Sequence, residues 1–153
     1  MTLKDFIPVF SGLIVVIIGS LIQFILVSRQ LKASALIHIS ANRQEWINSL
    51  RNTISEFLAI ANWLDANPYD KEKDDSQRQE NIQKAYRFFS KIELHLNPNE
   101  ADHTQLVLLN SEVMTLLKSP NYDSDKLYAL FTAILDQSKK ILKDEWERVK
   151  QLY

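Results

Sequence analysis

Three histidines, His38, His95 and His103, are the whole imidazole supply of this chain, and it contains no cysteine. A zinc or transition-metal centre needs three or four nitrogen, sulfur or carboxylate ligands drawn together, usually at short fixed spacings. His95, Glu100 and His103 are near one another in sequence, but a helix start signalled between them separates their faces. The spacing therefore favours structural or capping roles over a metal site. The only glycines are Gly12 and Gly19, so there is no glycine-rich phosphate loop and no nucleophile elbow. The residues suggest no catalytic group, cofactor or metal ligand, and a non-enzymatic protein is expected.

The remaining chemistry is that of cations and aromatic rings. Basic residues include Arg43, Arg51, Lys84, Arg87, Lys91, Lys139, Lys140 and Lys143. The formal net charge of −1 excludes a global attraction for nucleic acid, but a symmetric assembly would gather one basic patch per subunit into a ring. Trp46 lies within a turn of Arg43, and Tyr86 adjoins Arg87, so stacking surfaces for a base stand beside positive charge. Arg43, Trp46, Arg51 and Arg87 are therefore candidates for sensing an anionic ligand. A plainer reading competes. Trp46 falls on an apolar seam and suits a core, and most of the lysines suit a solvated face. Arg43 and Arg51, eight apart and about 12 Å distant along a helix, would then serve structure, with Glu100 as the ionic partner of one of them.

Such residues must be held by helices, the first of which has a distinct character. Phe6 to Val27 is a run of 22 residues without charge, and 16 of them are Leu, Ile, Phe or Val. As a helix it is about 33 Å long against a hydrocarbon core of about 30 Å. Those side chains favour insertion by on the order of 5 to 10 kcal/mol, more than Gln23 and two serines oppose. A cleavable signal peptide has a shorter apolar stretch, of about 7 to 15 residues, and the nearest small-x-small site, Ala33-Ser34-Ala35, lies beyond Arg29 and Lys32. A helix apolar on every face would need a larger protein around it to be a soluble core. A transmembrane anchor over residues 1–28 is expected. Arg29, Lys32 and Arg43 outweigh Lys4, so residues 29–153 are expected on the cytoplasmic side of the membrane. The lack of cysteine agrees with a reducing compartment.

Along the span, Gly12, Val16, Gly19 and Gln23 recur at steps of four, three and four. In lipid, helices associate through close packing at small residues and through interhelical hydrogen bonds, so this face is the candidate for helix packing or for lining a pore. A homo-oligomer is expected.

Beyond the span no glycine occurs, and apolar residues keep helical spacing. The first cytoplasmic helix is expected to continue from the span to Ala66. Its seam is Leu31, Ala35, His38, Asn42, Trp46, Leu50, Ile54, Phe57, Ala61 and Leu64, and Pro68 ends it. A second helix is expected over about Asn81 to Leu96, with Ile82, Ala85, Tyr86, Phe89, Ile92 and Leu96 inward, and the charged segment Asp70 to Glu80 before it reads as either a solvated loop or the frayed start of that helix. Asn97-Pro98-Asn99-Glu100 reads as a start signal in which Asn97 caps, Pro98 takes the first helical position and Glu100 bonds back. The third helix turns Leu106, Leu109, Val113, Leu116 and Leu117 inward. The fourth opens at Asp123 or Ser124 and buries Leu127, Phe131, Ile134, Ile141, Val149 and Leu152. The fold class is all-α: a transmembrane helix continuing into a long cytoplasmic helix packed in a four-helix bundle.

Arg43-Gln44-Glu45-Trp46-Ile47-Asn48-Ser49-Leu50-Arg51, followed by Leu96-Asn97-Pro98-Asn99-Glu100 and His103, resembles a pattern in small bacterial proteins with one amino-terminal span and a helical cytoplasmic domain. The arrangement also resembles the membrane effector of Hailong-type anti-phage systems. That resemblance implies a bacterial inner membrane as the location and a partner nucleotidyltransferase, encoded nearby, whose DNA oligomers restrain the effector until infection releases it to open a membrane pore. It implies an oligonucleotide or nucleotide signal but designates no residue for binding it. The alternative of a different class is a non-enzymatic membrane anchor or scaffold that holds a soluble partner through its bundle.

Overall fold

Between Gly19 and Pro68 the sequence offers a helix no internal break, and the backbone takes none. The computed structural model describes residues 3–68, 76–119 and 122–151, with exposure described at Gly12 and from Val16 onward. Among these residues there are four helices and no strand: α1 (Leu3–Ala66), α2 (Ser76–His95), α3 (Ala101–Lys118) and α4 (Ser124–Lys150). The chain divides within α1 into two compact units, Met1–Ala41 and Asn42–Tyr153. Leu152, Pro120, Asn121 and the segment 69–75 lie outside the described residues, as do the side chains of α1 before Val16 other than at Gly12.

In the Met1–Ala41 unit α1 is unaccompanied. Every described residue from Val16 to Val27 is exposed, Phe24 at 72 %. The helix is long and apolar enough to cross a membrane, and none of its apolar window is buried. The expected seam is exposed at its upper end as well: Leu31, Ala35, His38 and Asn42 are all open. Leu31, Ala35 and His38 belong to a unit made of one helix, which has no second element of its own to cover them.

The Asn42–Tyr153 unit has a continuous core. From residues 42–66 of α1 come Leu50, Ile54, Phe57, Ala61 and Leu64; α2 adds Ala85 and Ile92, with Leu96 just beyond it. Leu106, Val113, Met114 and Leu117 enter from α3, and Leu127, Leu130, Ile134 and Ile141 from α4. Phe57 is wholly buried. The expected inward positions Ile82, Phe89, Leu109, Leu116 and Phe131 pack partly buried against this core. Tyr86 is a correction. It is exposed, next to Ala85 in sequence and therefore about 100° around the helix from that buried position, and Lys118 Nζ lies 5.2 Å from its ring centre.

Two helix starts differ from expectation. α2 begins at Ser76, five residues before Asn81, because Ser-Gln-Arg-Gln-Glu continues the helix and gives Arg78 a structural task. Buried Arg78 donates from Nη1 to the Asn67 carbonyl at 3.3 Å and the Leu64 carbonyl at 3.5 Å, partnering acceptors that the end of α1 leaves open. α3 begins at Ala101, with Glu100 at the N-cap position and no side-chain cap bond. Asn97 is thus no helix cap: its Oδ1 accepts from the Asn99 N–H at 3.1 Å, and its carbonyl accepts from the Glu100 N–H at 3.1 Å, making a turn of 97–100. α4 opens as read, with the Asp123 side chain capping by accepting from the Asp125 N–H at 2.9 Å.

Candidate functional site

The motif residues assemble into a polar clasp. Trp46 on α1 is half-buried, donates from Nε1 to the His95 carbonyl at 3.0 Å, and stacks on the His103 ring with centroids 6.2 Å apart and planes 23° apart. His95 Nδ1 lies 2.6 Å from the Lys91 carbonyl, so it carries the proton and Nε2, 2.9 Å away, accepts from Ser49 Oγ. His103 has the opposite arrangement. Its Nδ1 accepts the Asn97 N–H at 2.9 Å, which leaves its ring proton on Nε2, 3.7 Å from Glu100 Oε2. Both imidazoles thus have assigned hydrogen-bonding work that joins α1, α2 and α3. Among the described residues no group of three His, Cys, Asp or Glu is placed to hold a metal.

Glu100 does not meet the arginine expected of it. Its carboxylate accepts from Arg148 at the end of α4, with Nη2 at 3.3 Å from Oε2 and Nη1 at 3.4 Å from Oε1. Arg51 instead donates to Asn48 Oδ1 at 3.1 Å on its own helix. Arg148 also bonds Glu145, so one guanidinium joins two carboxylates. Its hydrogen bond to Glu100 holds that carboxyl below its usual range. Asp102 is held low in the same way, first by Lys140 Nζ at 2.7 Å and then by Gln137 Nε2 at 3.1 Å, and these contacts bind the start of α3 to the middle of α4. At the opposite end of α3, Tyr122 donates to Asp65 at 3.1 Å; burial and then this bond push its phenol up to about 12.

The four proposed sensing residues are not gathered. Trp46 belongs to the clasp, Arg43 is half-buried, and Arg87 is exposed on α2. Five residues along a helix turn through about 140°, so Trp46 and Arg51 face different neighbours. Arg51 lies instead on a groove of about 550 Å³, shared with Gln44 and Ile47 of α1 and with Lys139, Leu142, Lys143 and Trp146 of α4. Trp146 is 43 % exposed there. The sequence signal for this surface is the α4 spacing of Lys139, Lys143 and Trp146 at i, i+4 and i+7, which sets them on one face. Neither Trp46 nor Tyr86 lines it.

In the apolar stretch of α1, Val16, Gly19 and Gln23 are exposed, as is Gly12. Among the described residues, a Cβ built on either glycine would meet nothing within 4 Å. Packing inside this chain therefore does not require glycine at those positions.

Compared with protein-family models, with curated proteins and with solved structures, the chain matches none.

Proposed function

We propose that this protein is a bacterial inner-membrane effector of an anti-phage system. It is a homo-oligomer whose spans permeabilise the membrane, with a cytoplasmic helical unit that senses a nucleotide or oligonucleotide signal supplied by a nucleotidyltransferase encoded nearby. The observation that carries the reading is the apolar stretch of α1, exposed on all sides and contiguous in sequence with a well-packed helical unit. Burying such a surface in lipid removes the cost of holding it in water. Gly12 and Gly19 leave room for the close approach of a neighbouring span, and Gln23 offers a hydrogen bond across it. The signal acts by population shift, binding the closed or the open arrangement better than the other.

Induced expression in a bacterium tests this reading. The protein should admit an impermeant dye, and Gly19→Leu or Gln23→Leu should abolish entry at equal protein levels. Unaltered permeability both on expression of the parent chain alone and on its expression with the neighbouring nucleotidyltransferase would contradict the effector role. One observation favours the scaffold reading: Leu94 on α2 is 85 % exposed and Leu108 on α3 is 54 % exposed, as a partner-docking surface would be. A scaffold keeps its function when the span is exchanged for an unrelated apolar helix; an effector loses it.

A further inference from the structure

We propose that the groove between α1 and α4 binds a phosphorylated nucleobase, as a mononucleotide or as part of a short single strand. The proposal rests on the signal-sensing part of the function above and gives it a place that the motif residues do not supply. Arg51 enters from α1; Lys139, Lys143 and Trp146 enter from one face of α4. Beneath them, Ile47 is buried and Leu142 half-buried, so the floor is apolar and the rim cationic. A cavity of about 550 Å³ suits a ligand of nucleotide size.

The charges of this rim are largely free to meet an anion. Among the described residues, Arg51 and Lys143 have no carboxylate within 4.0 Å. Lys139 pairs with Asp136 at 3.0 Å, but both side chains are about two-thirds exposed or more, and so exposed a pair holds weakly enough for a phosphate to displace it. In a protein of net charge −1, three cations around one concave surface are a local concentration of charge. The guanidinium of Arg51 is able to grip two phosphate oxygens at once, while the lysines act as point charges.

Trp146 distinguishes this surface from a plain anion patch. An exposed indole beside cations is the platform on which a base stacks, with little preference among bases. Lys150 Nζ lies 5.8 Å from the ring centre but pairs with Glu147 Oε1 at 2.9 Å, so the positive charge of the site comes from Arg51, Lys139 and Lys143. The Gln44 amide has both a donor and an acceptor for a base edge; its present bond to Asn48 is long, at 3.4 Å. A bilayer presents its phosphates as a plane, which a concave site with an aromatic platform does not match.

The test uses the full chain in detergent micelles and follows binding by calorimetry with ATP, a mixed-sequence DNA trinucleotide and inorganic tripolyphosphate. Saturable binding of ATP or the trinucleotide is expected, and their relative affinities tell a mononucleotide from a single-strand ligand. Arg51→Glu and Lys143→Glu should each weaken it about tenfold or more without lowering the unfolding temperature, and Lys91→Glu on α2 should not. Trp146→Ala should weaken nucleotide binding by about fivefold or more while leaving tripolyphosphate unchanged, and Trp146→Phe should restore it. The proposal is overturned if no nucleotide binds, if the charge reversals leave binding intact, or if tripolyphosphate binds as tightly as ATP. Dye entry separates the two claims. Permeabilisation without nucleotide binding removes the groove and keeps the effector; nucleotide binding without permeabilisation does the reverse.

Discussion

Glu100 and Asp102 show how single side chains hold α4 against the start of α3. Both carboxyls are held below their ordinary values of 4.5 and 3.8, chiefly by hydrogen bonds from Arg148 and Lys140. A carboxyl depressed in the folded state stabilises the fold above its unfolded value, and that contribution is lost as pH falls through the folded one. Thermal unfolding followed by circular dichroism should therefore show the melting temperature declining as pH drops below about 4.5, and Lys140→Met should shrink that decline. Tyr122 works at the other extreme. Its phenol is raised from 10.0 to about 12, so the unfolded chain ionises first and stability falls across that interval; Tyr122→Phe should flatten the alkaline limb. The Glu100–Arg148 pair is partly exposed, so a double-mutant cycle with Ala at each position should give a coupling of about 0.2 to 1 kcal/mol, while Glu100 with Arg51 should give none. Asn110 is the odd residue of the core: Nδ2 donates to the Leu106 carbonyl at 2.7 Å, but Oδ1 is buried with no partner among the described residues. Removing an unsatisfied buried acceptor is favourable, while the bulkier leucine must be fitted into a fully buried site, so Asn110→Leu should change stability by no more than about 1 kcal/mol in denaturant unfolding.

At the scale of elements, α1 has two jobs divided along its length. Its residues from 47 onward make one wall of the core, where Phe57 is wholly buried and Phe57→Ala should cost about 3 to 5 kcal/mol. Much of this was legible beforehand. Apolar spacing of three and four marks Leu50, Ile54, Phe57, Ala61 and Leu64 as inward, and Pro68 and Asp123 mark an end and a beginning, because these signals are local. Less legible were positions whose role depends on another element. Arg78 reads as part of a solvated charged run until α1 is seen to end beside it. Asn97 to Glu100 fits a capping box by residue type, yet the Asn97 carbonyl and amide are turned to a tight turn and to His103. The candidate site was least legible of all. Arg51 was identified from its own helix, but Lys139, Lys143 and Trp146 lie some 90 residues away and join it only through packing. Trp46, the more conspicuous tryptophan, was drawn into the clasp by a carbonyl that no local pattern reveals.

For the whole molecule, everything turns on whether the exposed apolar stretch of α1 is a membrane helix. Its length, its lack of charge and its exposure on all sides are the grounds for reading it so. If it is, the spans also provide the route by which several copies meet, and the mass of the detergent-solubilised protein should exceed that of a 17.8 kDa monomer bearing the same micelle. The most direct measurement is fractionation of cells expressing the intact chain, followed by an alkaline carbonate wash of the membranes. The account predicts that the protein stays in the washed membrane pellet and leaves it only with detergent. Recovery of the intact chain in the soluble fraction without detergent would contradict it.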